Sequence, residues 1–168
     1  MGYRKPSVVV MTNETTHHHS PRMFLHQLAP EVQKAMLALT KAATKGLEPS
    51  LVELVQMRAS QLNHCAFCLD MHTKDARKAG ETEERIFLLP AWEEAHGFYT
   101  EKERAALALT EAVTVLTDGF VPDEVYERAA RHFPEQELAH LISLIITINS
   151  WNRIAVTTRL APGAYEVH

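Results

Sequence analysis

The sequence has few cysteines and glycines and no long hydrophobic run: its 168 residues include two cysteines and six glycines. Two cysteines cannot build the several disulfide bonds that stabilise small secreted domains. The apolar stretches are shorter than the ~20 residues of a membrane-spanning helix, and the segment "SVVVM" is too short for the core of a secretory signal. We therefore expect a cytoplasmic protein that has no membrane partner.

An excess of basic residues is also absent. Lys and Arg together number 17, against 21 Asp and Glu, which gives a formal net charge of -4 at pH 7. Proteins that bind nucleic acid usually concentrate positive charge on one face, so we expect no nucleic-acid partner. The apolar fraction of 46% and the charged fraction of 23% are typical of globular domains. A single domain of this length buries enough surface to fold without disulfide bonds or metal ions.

The strict alternation of polar and apolar residues that predicts a β-strand is missing throughout. Apolar residues instead recur at helical spacing, and several segments begin with a capping signal. Thr100 with Glu103, and Ser50 with Glu53, have the spacing of a capping box, in which two side chains satisfy the N–H groups at a helix start. We predict an all-α fold, a compact bundle of about seven or eight helices.

The first residues lack this periodicity. Residues 1–22 contain the polar run "TNETTHHHSPR", so we predict a flexible tail, followed by a single helical domain over residues 23–168. His17, His18 and His19 could bind a metal ion loosely, but a solvated tail is the better-supported interpretation. Near the other end, "LISLIITI" (141–148) is apolar on every face, which predicts a helix that is buried on all sides or shared between subunits.

The two cysteines lie together in the segment "NHCAFCLDMH", and a histidine follows them. Asn63 is a favoured N-cap residue, so we predict that a helix starts there and that Cys65, Cys68 and His72 share one of its faces. The start of a helix favours a thiolate and therefore lowers the pKa of a thiol. The spacing fits a redox-active dithiol, part of a metal site, or two small buried residues, and in a cytoplasmic protein it favours the first two.

The preceding helix adds a carboxylate if the chain reverses near Leu62 and Asn63. In such an antiparallel hairpin, Glu53 lies opposite His72, and a buried carboxylate needs a partner. We therefore predict a relay in which Glu53 orients His72, and His72 exchanges a proton with the thiol of Cys68. The simpler interpretation is that Glu53 belongs only to the capping box and that His72 lies on the helix surface.

Cys65, Cys68 and His72 are also three suitable zinc ligands, and His64 or Glu53 could supply a fourth. Structural zinc sites usually take their ligands from two separated pairs, and the chain has no second pair of cysteines. We therefore expect no bound metal and no cofactor. A non-catalytic oligomeric protein that senses redox state or binds zinc through the same cysteines is the alternative function.

The pattern Glu-x11-Cys-x2-Cys-x3-His, formed by Glu53, Cys65, Cys68 and His72, resembles the core motif of alkylhydroperoxidase D-like proteins in the carboxymuconolactone decarboxylase-like superfamily. The segments "NHCAFCLDMHTKDARKAGETEERI" and "INSWNR" are also similar to that family, and the resemblance extends over residues 23–162. It implies an all-helical fold with a helical hairpin that carries the C-x-x-C motif. It also implies a homo-oligomer, either a trimer or a hexamer.

The resemblance further implies a function: a thiol-dependent peroxidase or disulfide oxidoreductase of antioxidant type. The substrate would be a small-molecule hydroperoxide, and a thiol that the sequence does not identify would donate the electrons. Cys68 would be the peroxidatic cysteine, Cys65 the resolving cysteine, and Glu53 and His72 the proton relay. One position departs from the family pattern, because Phe67 stands where the best-known peroxidases have a second histidine. This departure predicts a weaker relay.

Overall fold

The computed structural model describes residues 20–167. The histidine run at 17–19 and nearly all of the predicted tail lie outside these residues. The described part contains a short 3-10 helix at Leu89–Ala91 and the α-helices α1 (Leu25–Leu28), α2 (Pro30–Ala43), α3 (Pro49–Leu62), α4 (Ala66–Lys78), α5 (Glu83–Leu88), α6 (Glu101–Thr114), α7 (Asp123–His132) and α8 (Glu135–Thr158). Because residues 20–167 contain no β-strand, the all-α prediction is confirmed. None of these described helices is long and apolar enough to cross a membrane.

Local sequence signals explain where several helices begin and end. α6 starts with a complete capping box: Glu103 N donates to Thr100 Oγ1 at 3.2 Å, and Thr100 N donates to Glu103 Oε2 at 2.7 Å. Pro122 and Pro134 are the N-cap residues of α7 and α8. Gly80, just after α4, has a φ of +98°, a backbone conformation that glycine adopts readily and that ends a helix.

The capping box predicted for Ser50 and Glu53 is wrong. α3 begins at Pro49, with Glu48 as its N-cap residue, so Ser50 lies inside the first turn and cannot precede it. The Ser50 hydroxyl instead donates a hydrogen bond to the Glu81 carboxylate. The Glu53 carboxylate is therefore available to pair with a neighbouring helix.

α3 lies at the centre of the bundle and packs against α4, α6 and α8. One of its faces joins a large apolar cluster with α6 and α8, in which Val55, Leu109 and Leu141 are fully buried. Another face joins a second cluster around Met57 and Trp92. Full burial of one such side chain is worth about 1.5–3 kcal/mol, so these clusters hold α3, and any functional group on it, in one position.

α8 extends over 24 residues and contributes to the core along most of its length. The prediction that its segment 141–148 is buried on every face is wrong. Leu144, Ile145 and Ile148 are buried, but Ile142 and Ser143 are only partly buried and Ile146 is 51% exposed. The helices α2, α3 and α6 cover other faces of α8, and Ile146 lies on a face that is open to solvent. This exposed apolar position favours the second half of the prediction, a helix shared between subunits.

The chain after α8 folds back over α4. Gly163 N donates to the Asp70 carboxylate at 3.0 Å, and Lys74 Nζ donates to the Tyr165 carbonyl at 2.9 Å. We call residues 160–167 the C-terminal strap. At the start of the described chain, Arg22 N donates to the Thr158 carbonyl at 2.8 Å, so this part of the chain lies against the end of α8.

Candidate functional site

A tight turn between α3 and α4 positions the two cysteines. α3 ends at Leu62, Asn63 is its C-cap residue, and Cys65 is the N-cap residue of α4. The prediction that Asn63 caps the start of the cysteine helix is therefore wrong, because its side-chain amide donates to the Ala59 carbonyl at 3.0 Å, at the end of α3. His64 has a φ of +52°, a left-handed conformation that reverses the chain direction.

The two thiols lie against each other at the start of α4. Cys65 Sγ and Cys68 Sγ are 2.7 Å apart, and the Cys68 backbone N–H donates to Cys65 Sγ at 3.4 Å. Both are free thiols, and neither residue is more than 2% exposed. Ala155 of α8 is buried against them, with Phe67 and Leu160 beside it. Two sulfurs this close can form a disulfide bond with little movement.

The short contact between the sulfurs separates the pKa values of the two thiols. A hydrogen bond with the Cys68 thiol lowers the pKa of Cys65 to about 7; burial opposes this shift, and the Cys68 backbone N–H supports it. The same hydrogen bond raises the pKa of Cys68, and burial and the nearby Cys65 charge raise it further. As the pH rises through about 7, the pair therefore loses one proton and holds one negative charge and one remaining proton. A thiolate is the form in which cysteine acts as a nucleophile.

The predicted contact between the helices of the hairpin is confirmed. His72 Nδ1 lies 2.9 Å from Glu53 Oε2, and the two side chains are 8% and 16% exposed. The turn after Leu62 brings these groups together although 19 positions separate them in the sequence. The hydrogen bonds found in residues 20–167 do not include one from His72 to either sulfur. A proton that passes between His72 and a thiol therefore needs a bridging water or substrate atom.

A buried amide on α8 completes the polar contacts of the thiol pair, and sequence reasoning did not identify it. Asn152 is 1% exposed; its Nδ2 donates to Ser60 Oγ at 3.0 Å, and its Oδ1 accepts from Asn63 Nδ2 at 2.9 Å. A hydrogen bond with Asn152 lowers the pKa of both Cys65 and Cys68. The available signal was an asparagine at a buried position of an otherwise apolar helix, within "INSWNR".

Asp75 and Tyr165 extend the polar network beyond His72, and sequence reasoning missed them as well. The Tyr165 hydroxyl donates to both carboxylate oxygens of Asp75, at 2.8 and 3.0 Å. Burial and this hydrogen bond raise the pKa of Tyr165 to about 12, and the negative charge of Glu53 contributes to the shift. The C-terminal strap therefore lies close to the Glu53–His72 pair.

The clustered metal ligands do not include the thiols. Within residues 20–167, the group of three ligand atoms that lie within 4.8 Å of one another consists of Glu53, His72 and Asp75. The zinc set considered from the sequence, two cysteines with His72, forms no such cluster in this part of the chain. Glu53 and His72 already contact each other, and Asp75 already accepts hydrogen bonds from Tyr165.

An apolar cavity of about 450 Å³ reaches Cys68 and His72. We call it the Cys68 cavity. Its walls come from α1, α2, α3, α4 and α8 and consist largely of aliphatic and aromatic side chains, among them Phe67, Met71 and Trp151. The cavity therefore offers a thiol and an imidazole to an apolar molecule.

A second, more open pocket of about 620 Å³ reaches Cys65 instead. We call it the Cys65 pocket. Phe67, Ala155 and Leu160 line both spaces and so form the partition between them. Cys68 does not line this pocket, and Cys65 does not line the Cys68 cavity. Each sulfur is therefore approached from its own side.

An all-helical bundle with a buried dithiol at one helix start, and a glutamate–histidine pair beside it, defines a class of helical thiol proteins. The sequence model of the carboxymuconolactone decarboxylase family matches residues 30–112. The Bacillus subtilis protein YdfG is 45% identical to this chain over 138 residues, which are 82% of this chain and 93% of YdfG.

Solved structures agree with the match to this family. A protein of unknown function from Agrobacterium tumefaciens, described as a putative antioxidant defence protein AhpD, is 38% identical and has a TM-score of 0.82, covering 86% of this chain and 99% of that one. The debrominase Bmp8 has a TM-score of 0.73 over 82% of this chain and 74% of its own, and its 21% identity shows the fold alone. The chain belongs to the carboxymuconolactone decarboxylase family and has the AhpD-like fold, as the motif predicted. Because proteins of this fold carry out different reactions, the reaction has to be argued from the site.

Proposed function

We propose that the protein is a dithiol peroxidase of antioxidant type that reduces organic hydroperoxides at Cys68 and forms a disulfide between Cys65 and Cys68. The observation that carries this proposal is the pair of thiols 2.7 Å apart, one of which lines an apolar cavity together with His72. The 38% identity to a protein described as a putative antioxidant defence protein is consistent with it.

The thiol pair supplies a base of its own. The two sulfurs share one proton, so transfer of that proton from Cys68 to Cys65 places the thiolate at Cys68, on the side of the Cys68 cavity. His72 is the second base at the site, and its contact with Glu53 holds the ring in place. The family pattern has a second histidine at the position of Phe67, and this chain lacks the proton acceptor that such a histidine would supply. The Cys65 thiolate provides part of that proton-accepting capacity.

The reaction then follows in two steps. The Cys68 thiolate attacks the terminal oxygen of the hydroperoxide, the O–O bond breaks, and the alkoxide leaves and takes a proton that His72 relays from solvent through a bridging water. Cys68 is now a sulfenic acid. The Cys65 sulfur, which carries the proton received from Cys68, attacks the Cys68 sulfur; the S–O bond breaks, and the hydroxide takes that proton and leaves as water. One hydroperoxide and two thiols thus give one alcohol, one water and one disulfide.

The Cys68 cavity favours a hydroperoxide with an apolar body. Burial of apolar surface is worth about 25 cal/mol per Å², and hydrogen peroxide has no apolar surface to bury. We therefore expect kcat/KM for cumene hydroperoxide to exceed that for hydrogen peroxide, chiefly through a lower KM.

The first test treats the reduced protein with one equivalent of cumene hydroperoxide and counts thiols after denaturation. Both thiols should disappear together, without a crosslink between chains, and a thiol such as dithiothreitol should restore them over repeated cycles. Two free thiols after treatment would contradict the proposal. A disulfide that forms without repeated turnover would instead support the redox-sensing alternative.

The second test separates the roles of the two cysteines. In Cys65→Ser, peroxide should leave a sulfenic acid at Cys68, which dimedone labels and mass spectrometry locates. The matched variant Cys68→Ser should consume peroxide on the order of a hundredfold more slowly than Cys65→Ser. A rapid sulfenic acid at Cys65 in Cys68→Ser, with none at Cys68 in Cys65→Ser, would reverse the assignment.

A further inference from the structure

We infer that the Cys65 pocket is the entry site for the reducing thiol and that it selects a low-molecular-weight thiol carrying a negative charge. The inference rests on the proposed disulfide cycle. It starts from the partition formed by Phe67, Ala155 and Leu160, which leaves Cys65 accessible on one side and Cys68 on the other.

The geometry of thiol–disulfide exchange determines which sulfur is attacked. The attacking thiolate approaches along the line of the S–S bond, from behind the sulfur that it attacks. Cys65 lines the Cys65 pocket, which Cys68 does not reach. The Cys68 cavity is lined largely by apolar side chains, and a thiolate that entered it would lose most of its hydration. Attack on Cys65 from the Cys65 pocket is therefore favoured.

The charges around the Cys65 pocket provide the selectivity. Arg159 lines the pocket at the end of α8 and is exposed, and His64 lines it from the α3–α4 turn. The Arg159 guanidinium is positively charged at any working pH. No Asp or Glu is among the described residues that line the pocket. A thiol that bears a carboxylate is therefore attracted, and a thiol that bears an amine is repelled.

The exchange balances in two steps. A thiolate RS⁻ attacks Cys65 Sγ, the S–S bond breaks, and Cys68 leaves as a thiolate. A second RS⁻ attacks the RS sulfur of the mixed disulfide, which releases RSSR and the Cys65 thiolate. While Cys65 is in the mixed disulfide, its negative charge no longer opposes ionisation of Cys68. The hydrogen bond with Asn152 also favours the leaving thiolate.

The test starts from protein whose disulfide was formed with diamide, so no peroxide is involved. The disulfide is reduced with 3-mercaptopropionate, 2-mercaptoethanol or cysteamine, and each rate constant is expressed per thiolate. Arg159→Gln should slow reduction by 3-mercaptopropionate roughly two- to fivefold, the size of an exposed charge interaction. The same variant should leave the rate of reduction by 2-mercaptoethanol unchanged, and it should not lower the rate of reduction by cysteamine. Arg131→Gln on α7 removes the same charge away from the pocket and should change none of the three rates.

Acid quenching during reduction locates the mixed disulfide by mass spectrometry. The adduct should be on Cys65, and added salt should reduce the advantage of 3-mercaptopropionate in the wild type. An adduct on Cys68, or equal effects of Arg159→Gln on all three thiols, would overturn the inference. Because diamide replaces the peroxide, a protein without peroxidase activity still gives a result. If the protein still reduces peroxide but the adduct forms on Cys68, the entry site is overturned and the proposed peroxidase function stands.

Discussion

Glu53 and His72 face each other across the α3–α4 hairpin, with 2.9 Å between Oε2 and Nδ1. A carboxylate accepts hydrogen bonds, so a neutral His72 carries its proton on Nδ1 and presents Nε2 as the basic atom. Glu53 thereby positions His72 and stabilises the charge that the ring gains when it accepts a proton. In the proposed reaction, Glu53 would thus serve as the group that orients the base.

Glu53→Gln should slow Cys68 oxidation about tenfold, since the amide cannot stabilise an imidazolium as a carboxylate does. The rate is measured as sulfenic acid formation in the Cys65→Ser background, over a range of pH. The fold should be preserved because Glu53 caps no helix. Glu83→Gln, which removes an exposed carboxylate paired with Arg77, is the matched control and should react at the parental rate. An unchanged rate and pH profile in Glu53→Gln would mean that the contact is only structural.

Cys68→Ala should raise the pKa of Cys65, because the hydrogen bond with Cys68 is the main cause of its low value of about 7. In the reduced wild type, alkylation of Cys65 by iodoacetamide should therefore rise through pH about 7, and in Cys68→Ala it should rise only at higher pH. A thiol with a lowered pKa stabilises the folded state above its unfolded pKa, and this stabilisation is lost as the pH falls through the folded value. The same midpoint in both proteins would contradict the shared-proton description.

Asn152→Ala should lower the free energy of unfolding by about 1–2 kcal/mol, because it removes the two buried hydrogen bonds that join α8 to Ser60 and Asn63. Urea unfolding of the reduced protein measures the change. Ser150→Ala on the same helix removes a hydroxyl that bonds only to the Ile146 carbonyl, and it should cost less than about 0.5 kcal/mol. Equal stability losses in the two variants would show that the Asn152 network is not a special contribution.

Exposed apolar residues outside the Cys65 pocket predict an assembled protein. Ile146 of α8 is 51% exposed, and Leu28 of α1 is 71% exposed. Light scattering should return a trimer or a hexamer rather than the 19.0 kDa of one chain. Ile146→Lys should shift the mass toward the single chain, since a buried lysine without a partner is costly. Leu116→Lys, at a similarly exposed leucine beyond α6, is the control and should leave the mass unchanged.

The fold and the Glu53–His72 contact could be predicted because both depend on short-range patterns. Helical periodicity identifies the elements, and a hairpin brings together residues at equal distances from its turn. Two of the wrong predictions also concern local patterns, namely which residue caps which helix end. Asn63 is a good cap residue, but its amide caps the end of α3 and contacts α8 instead. Ser50 was misassigned because Pro49 already occupies the first helical position.

Asn152 and Tyr165 could not be found in this way. Asn152 contacts Asn63 across 89 positions, and Tyr165 contacts Asp75 across 90. Such contacts depend on how α8 and the C-terminal strap are placed against the hairpin, and a local pattern carries no information about that placement. The separation of Cys68 and Cys65 into two differently lined spaces depends on the same packing, because Ala155 and Leu160 form the partition.

The burial of the thiol pair by α8 has a consequence for biosynthesis. Cys65 and Cys68 emerge from the ribosome well before Asn152, which follows Asn63 by 89 positions. At typical synthesis rates, that length of chain takes roughly 5–20 s to complete. During this interval the nascent hairpin exposes both thiols to any cellular oxidant, without the partition that later gives each sulfur its own approach. The thiol pair therefore passes through a stage of synthesis at which α8 cannot yet shield it.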